Sequence, residues 1–236
     1  MEQIELILIT ALAPIIVLAF YIYRKDKTAP EPIGQLLKAL GFGVLSAFVS
    51  FCMSLPFGSI GLYPQEIVDV LGGIRVAFFG AAIPEEIAKF FMLWLFLRKC
   101  AHFDEKMDGI VYAVCISLGF AAFENILYLL GNSNDFLQLG ISRAIFAVPG
   151  HFCFGVLMGY YYSLAKFCPK NTKRYKALIL IAPILAHGIY DAILLVTDVT
   201  PSFSGILSLL FYVFCFLMWK RASKSIEEHV KTDAVL

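Results

Sequence analysis

Long apolar blocks separated by short polar segments dominate this chain. The blocks fall at about residues 4–23, 35–55, 72–97, 109–130, 141–165, 177–196 and 203–219. A helix rises about 1.5 Å per residue, so about 20 apolar residues cross a hydrocarbon core of about 30 Å. The pattern predicts an all-α, polytopic helical membrane protein with about seven transmembrane helices. Residues 1–236 then form a single transmembrane domain. The third helical region starts near Ile67 and runs to Leu97; at about 46 Å it is too long for one straight span. Pro84 lies inside it and is expected to bend or break it. A break there would make Glu85 and Glu86 first-turn residues of a half-helix, whose free N–H groups favour carboxylates.

Charge adds orientation to this picture. Segments after blocks one, three, five and seven carry Arg24, Lys25 and Lys27; Arg98, Lys99 and Lys106; Lys166 to Lys176; and Lys220, Arg221 and Lys224. The alternate segments are nearly free of Lys and Arg. The positive-inside rule then puts the N-terminus out and the C-terminus in. Glu2 and Glu5 stand at the start of the first block and no basic n-region precedes it, so the block is read as a span and not as a cleavable signal. Charged residues make up 16% of the chain, against about 25% in soluble domains. The net charge of +1 says little about partners, and no basic patch with interleaved aromatics points to nucleic acid, so no nucleic-acid partner is expected. Six cysteines are scattered without a CxxC pair, so they read as free thiols.

Candidate chemistry comes from polar residues inside the apolar blocks, where ionisable groups are expensive and mark functional sites by default. Glu85, Glu86 and Lys89 lie near the middle of block three. Glu124 is about six residues from the outer end of block four, and His151 about ten residues inward on block five. His187 is near the middle of block six, with Asp191 one turn further out. Helical spacing puts Lys89 on the face of both glutamates and Asp191 on the face of His187. Asp191 can therefore orient that imidazole and fix its tautomer. His151, Gly155 and Gly159 form a stripe that allows close helix approach. Arg75 and Arg143, near the outer ends, read as interfacial. Each polar group alone could be structural glue. Four helices with polar groups at similar depth favour one shared site.

Several chemistries are absent. There is no HExxH. Gly58-Ser59-Ile60-Gly61 is a loop and not a nucleophile elbow. Tyr190-Asp191 lacks the Gly-x-Gly-Asp partner of presenilin-type aspartyl proteases. Cys153 is two residues from His151 and points to nearly the opposite face. An intramembrane hydrolase remains. A transporter or proton pathway built on a Glu/His cluster is the alternative, and a sensor without chemistry is a third reading.

Glu85-Glu86-Ile87-Ala88-Lys89 resembles the EExxK motif of the PrsW family of membrane proteases. Phe120-Ala121-Ala122-Phe123-Glu124 resembles its FxxxE motif, and His187-Gly188-Ile189-Tyr190-Asp191 its HxxxD motif. Asp108-Gly109-Ile110-Val111-Tyr112, Glu124-Asn125-Ile126-Leu127-Tyr128 and Pro149-Gly150-His151 are also similar. The resemblance extends from about Arg24 to Trp219. Each motif is weak alone; the ordered set is specific. The family is related to CaaX-prenyl endopeptidases and bacteriocin-processing proteases.

The resemblance implies a multi-pass protease of the bacterial cell membrane that makes the first, extracytoplasmic cut in a membrane-spanning anti-sigma factor. That cut opens regulated intramembrane proteolysis in a stress response and releases a sigma factor. Glu85 or Glu86 would serve as general base, and His151 or His187 would stabilise the oxyanion or protonate the leaving amine. Lys89 would tune the carboxylates. A Zn²⁺ ion, if used, would take Glu86, Glu124, His151 and His187. No single helix has tight metal-ligand spacing, which favours a site without a tightly bound metal.

The alternating charges predict that a cysteine placed at Lys170 is shielded from a membrane-impermeant thiol reagent in intact cells. Labelling from outside would reverse the topology.

Overall fold

One helix at the centre of this bundle is covered by other helices over most of its length. In a computed structural model that describes residues 3–26 and 29–234, helix α5 (Lys106–Gly131) is buried without interruption from Met107 to Ala121. Glu2 and Lys27, two charges used in the topology reading, lie outside the described residues. Around α5 pack α1 (Gln3–Lys25), α2 (Ile33–Ser59), α4 (Ile83–Leu97), α7 (Val148–Phe167) and α9 (Ser204–Asp233). Helix α8 (Thr172–Val199) lies against α7. Short helices α3 (Val70–Arg75) and α6 (Phe136–Ser142) lead into α4 and α7. No strand occurs among the described residues.

Six helical stretches are long and apolar enough to cross a membrane: α1, α2, α5, Phe136–Phe167, α8 and Pro201–Asp233. The chain from Val70 to Leu97 is also helical throughout, but it carries Glu85, Glu86 and Lys89 in its middle. Outward faces remain apolar, as with Ile9, Ile16 and Phe20 on α1 and Ile206, Leu209 and Phe216 on α9. In lipid these side chains lose nothing by exposure.

The expected break at Pro84 is absent. Residues Val76–Ala82 instead form a π turn, in which the Ile83 N–H donates to the Phe78 carbonyl five residues back. Proline has no N–H and its ring crowds the carbonyl four residues earlier. Widening the preceding turn relieves that clash and keeps the chain helical. Glu85 and Glu86 therefore sit within a continuous helix, and no half-helix end is offered to them. The same device recurs before Pro149, where Arg143–Ala147 is a π turn and the Val148 N–H reaches the Arg143 carbonyl.

Two further differences from the sequence reading have local causes. The third helical region begins at Val70 and not near Ile67, because extended Asp69 caps it by accepting the Gly72 N–H at 2.6 Å. Arg75 straps the preceding loop through the Leu62 and Gly61 carbonyls. The last helix continues beyond Trp219 to Asp233. Its extension is polar enough to escape a hydropathy reading, yet Ala222, Ile226 and His229 are buried along one face.

Close backbone approach sets the register around α5. A Cβ at Gly159 on α7 would overlap the Gly109 carbonyl and Ile110 Cα of α5. A side chain at Gly43 on α2 would meet Gly119 Cα at 2.8 Å. Replacing Gly159 by Leu should lower stability by about 1–3 kcal/mol through overpacking, seen as a lower thermal midpoint in detergent. An unchanged midpoint would show that the α5–α7 contact is loose.

Candidate active site

The two π turns deliver prolines 84 and 149 to the first turns of α4 and α7, and the polar residues follow directly. Glu85, Glu86 and Lys89 come from α4, Glu124 from α5, His151 from α7, and His187 and Asp191 from α8. All seven sequence-selected residues converge on one region.

Lys89 is fully buried at its centre. Its Nζ donates to Glu86 Oε1 at 2.8 Å and to Glu85 Oε2 at 3.3 Å. A third contact reaches His151 Nδ1 at 3.1 Å, and the Phe120 ring lies 4.0 Å beneath the ammonium. An ammonium has only protons to give, so His151 Nδ1 accepts. The proton of a neutral His151 ring is then on Nε2, donated to Glu124 Oε2 at 2.9 Å. Lys89 thus fixes the tautomer of His151.

His187 is held from three directions. Its Nδ1 is 3.0 Å from Glu86 Oε1 and its Nε2 is 3.1 Å from Asp191 Oδ2. Its ring stacks on Phe154 with centroids 4.6 Å apart. Glu85 Oε2 stands 4.0 Å from Nε2. Both ring nitrogens face carboxylate oxygens, so one of them calls for an extra proton or a cation.

The two glutamates differ in access. Glu86 is completely buried, whereas the Glu85 side chain keeps 15% of its surface exposed. Glu85 lines a cavity of about 360 Å³ together with Glu124, Arg143, His151, His187 and Asp191. Glu85 and Glu124 also border a second cavity of about 460 Å³, flanked by Phe48 and Phe51 of α2 and Leu127 of α5. Those three side chains are exposed on the apolar outer face.

Arg143, expected at the membrane interface, joins this cluster instead. Its Nη2 donates to Glu124 Oε2 at 2.6 Å and its Nε to Asn125 Oδ1 at 2.6 Å. Its guanidinium also lies over the Tyr128 ring at 4.1 Å. Asn125, in turn, reaches the Ala11 carbonyl of α1 at 3.2 Å.

The sequence-derived metal set divides in two. One ligand atom each from Glu85, Glu86 and His187 lie within 4.8 Å of one another. Glu124 and His151 pair with each other on the far side of Lys89, whose ammonium occupies the space between the groups. The Glu85–Glu86–His187 donor set suits zinc. Glu86 Oε2 is buried without a hydrogen-bond partner and is free to serve it.

Residues 31–219 match the family described as PrsW family intramembrane metalloprotease. The chain is 33% identical to Protease PrsW of Geobacillus kaustophilus over 92% of its length and 88% of that protein. It is 34% identical to Protease PrsW of Clostridioides difficile, covering 93% and 90% of the two chains. Protease PrsW of Bacillus subtilis is 37% identical over 80% of this chain and 82% of its own. No solved structure matches. These findings favour a peptidase over an ion pathway, and the family description bears against the expectation of a site without metal.

Lys89→Met should destabilise the protein by about 3–5 kcal/mol, because it removes the buried ammonium and leaves Glu86 with His187 as its one charged neighbour within ion-pair distance. Lys89→Met with Glu86→Leu should recover part of that loss, measured as thermal midpoints in lipid nanodiscs. A single variant as stable as wild type would remove Lys89 from its central role.

Proposed function

Because the chain belongs to the PrsW family of intramembrane metalloproteases and is a multi-pass peptidase of the bacterial cell membrane, we propose that it cuts a membrane-spanning anti-sigma factor on its extracytoplasmic side. The cut would be the first step of regulated intramembrane proteolysis and would lead to release of a sigma factor. This choice of substrate rests on the family resemblance. The chemistry rests on the site.

One observation carries the chemistry: of two adjacent glutamates, Glu86 is buried against Lys89 and His187 while Glu85 faces both cavities. Glu85 is therefore the general base, taking a proton from the water that attacks the scissile carbonyl. Glu86 anchors Lys89 and His187. His187, oriented by Asp191 and Glu86, hands a proton to the leaving amine. Arg143 lines the same cavity and brings a fixed positive charge to the developing oxyanion. The cavity beside Phe48, Phe51 and Leu127 gives a substrate segment arriving through lipid a path to Glu85. Should zinc bind there, Glu85, Glu86 and His187 would hold it and the ion would supply Lewis-acid polarisation of the carbonyl and a more acidic water, with Glu85 and His187 then serving as ligands in place of their proton-transfer roles.

The test uses purified full-length protein in nanodiscs with a single-span anti-sigma substrate, the products being mapped by mass spectrometry. Glu85→Gln should slow cleavage about 10²–10⁴-fold with an unchanged thermal midpoint. Near wild-type cleavage would exclude Glu85 as base. A cut mapped to the cytoplasmic side would exclude the proposed role. A chelator that reaches the site should stop cleavage and added zinc should restore it; full activity in metal-free protein would assign the hydrolysis to the side chains alone.

A further inference from the structure

A second group of acids lies at the other end of α5, about 24 Å along the helix from Glu124 to Asp108. Asp26 follows α1, Glu31 precedes α2, Glu105 and Asp108 open α5, and Asp233 closes α9. Asp26, Asp108 and Asp233 are each at most 3% exposed. Among the described residues no Lys, Arg or His forms an ion pair with any of the five. Two cations nearby make their direct contacts elsewhere. Lys166 donates to the Phe103 carbonyl, and Lys25 lies over the Tyr21 ring at 5.3 Å.

Local folding explains only half of this charge. Glu105 and Asp108 form a reciprocal capping box at the start of α5. Asp108 Oδ2 accepts the N–H groups of Asp104 and Glu105 at 3.0 and 2.6 Å. Asp233 Oδ2 accepts the Met107 N–H at 2.8 Å, and Glu31 takes the Tyr112 hydroxyl proton. Each cap uses one oxygen and leaves the other over. Glu105 Oε2, Asp108 Oδ1 and Asp233 Oδ1 are buried and unpartnered. Asp26 is the sharper case: both of its oxygens are buried and neither meets a side-chain donor, with the Glu31 N–H as a backbone donor nearby. Its carboxylate nevertheless points at the others, since one oxygen each of Asp26, Glu105 and Asp108 lie within 4.8 Å of one another.

A buried carboxylate without protons or cations to meet it is costly. Burial, with Asp108 and Glu105 beside it, pushes the Asp26 carboxyl up to about 7. Burial likewise pushes Glu31 up to about 8. All the donors are carboxylate oxygens, the ligands of hard cations and not of zinc or copper.

We propose that Asp26, Glu105 and Asp108 form a binding site for a hard divalent cation of the Mg²⁺ or Ca²⁺ class, bridging the end of α1 to the start of α5. Asp233 and Glu31 flank it and bring in the ends of α9 and α2. The bound ion would staple the bundle at the end away from the candidate active site. It gives Asp108 and Glu31, which lie far from the hydrolytic residues, a role at the opposite end of the bundle.

The experiment follows the thermal midpoint and Mn²⁺ stoichiometry of full-length protein in nanodiscs. Millimolar Mg²⁺, Ca²⁺ or Mn²⁺ should raise the wild-type midpoint by about 5 °C, against K⁺ at matched ionic strength. Electron paramagnetic resonance should count one bound Mn²⁺ at this site. Asp26→Asn should weaken binding about tenfold or more, and Asp26→Asn with Asp108→Asn should abolish both signals. Glu85→Gln with His187→Ala should keep them, which separates this ion from a catalytic one. Wild-type protein with no shift and no bound Mn²⁺ would overturn the site and leave the acids held by protons. A signal lost with Glu85 and His187 but kept without Asp26 and Asp108 would also overturn it. Should the double variant not fold, the wild-type titration and Asp26→Asn alone decide.

Discussion

A buried ammonium is stable only if every proton on it has a partner, and the candidate active site is arranged around meeting that condition for Lys89. Its contacts reach Glu85, Glu86 and His151, with the Phe120 ring below. Each partner is constrained in return. Glu86 is drawn into the protein and becomes the seat of His187. His151 is confined to one tautomer and must give its other side to Glu124. Glu124 is then shared with Arg143. The positions of four helices are thus tied to one charge, and of the two adjacent glutamates only Glu85 is left facing both cavities. Such mutual dependence makes the geometry rigid, because no member can turn without leaving another unpaired.

Much of this was legible in the sequence. Seven apolar blocks gave the helices, and i, i+3 and i, i+4 spacing correctly paired Lys89 with the two glutamates and His187 with Asp191. The motif residues could be named because ionisable groups inside apolar blocks stand out. What escaped was rotation about the helix axes. Arg143 is eight residues before His151, which on an α-helix puts it about 80° away. The π turn between them acts as one inserted residue and brings the two to within about 20°. Nothing in hydropathy marks a π turn, so Arg143 looked interfacial. The division of the metal set around Lys89 escaped for a related reason, since spacing along one helix says nothing of which neighbour a side chain meets. The amphipathic end of α9 was lost to hydropathy because its burial is confined to a narrow stripe.

The two polar centres make a contrast in how charge is carried through a membrane. At the candidate active site opposite charges are interleaved, and the local sum stays small. At the far end of α5 the acids are gathered without an ion-pair partner among the described residues. The first arrangement is self-sufficient in the folded protein. The second depends on something from solution, be it a proton or a metal ion.

The central place of α5 also bears on how the protein is made. Spans emerge from the ribosome in order, so α5 enters the bilayer before α7, α8 and α9 exist to cover it. For that interval the face that later helices cover must be acceptable to lipid, although in the finished protein the stretch from Met107 to Ala121 is buried. Its mean hydropathy of 1.9, equal to that of the more exposed α2, meets the first demand. Gly109 and Gly119 meet the second, because small apolar residues cost little in lipid and leave room for later arrivals. The central helix is therefore written for two successive solvents, lipid during synthesis and other helices afterwards.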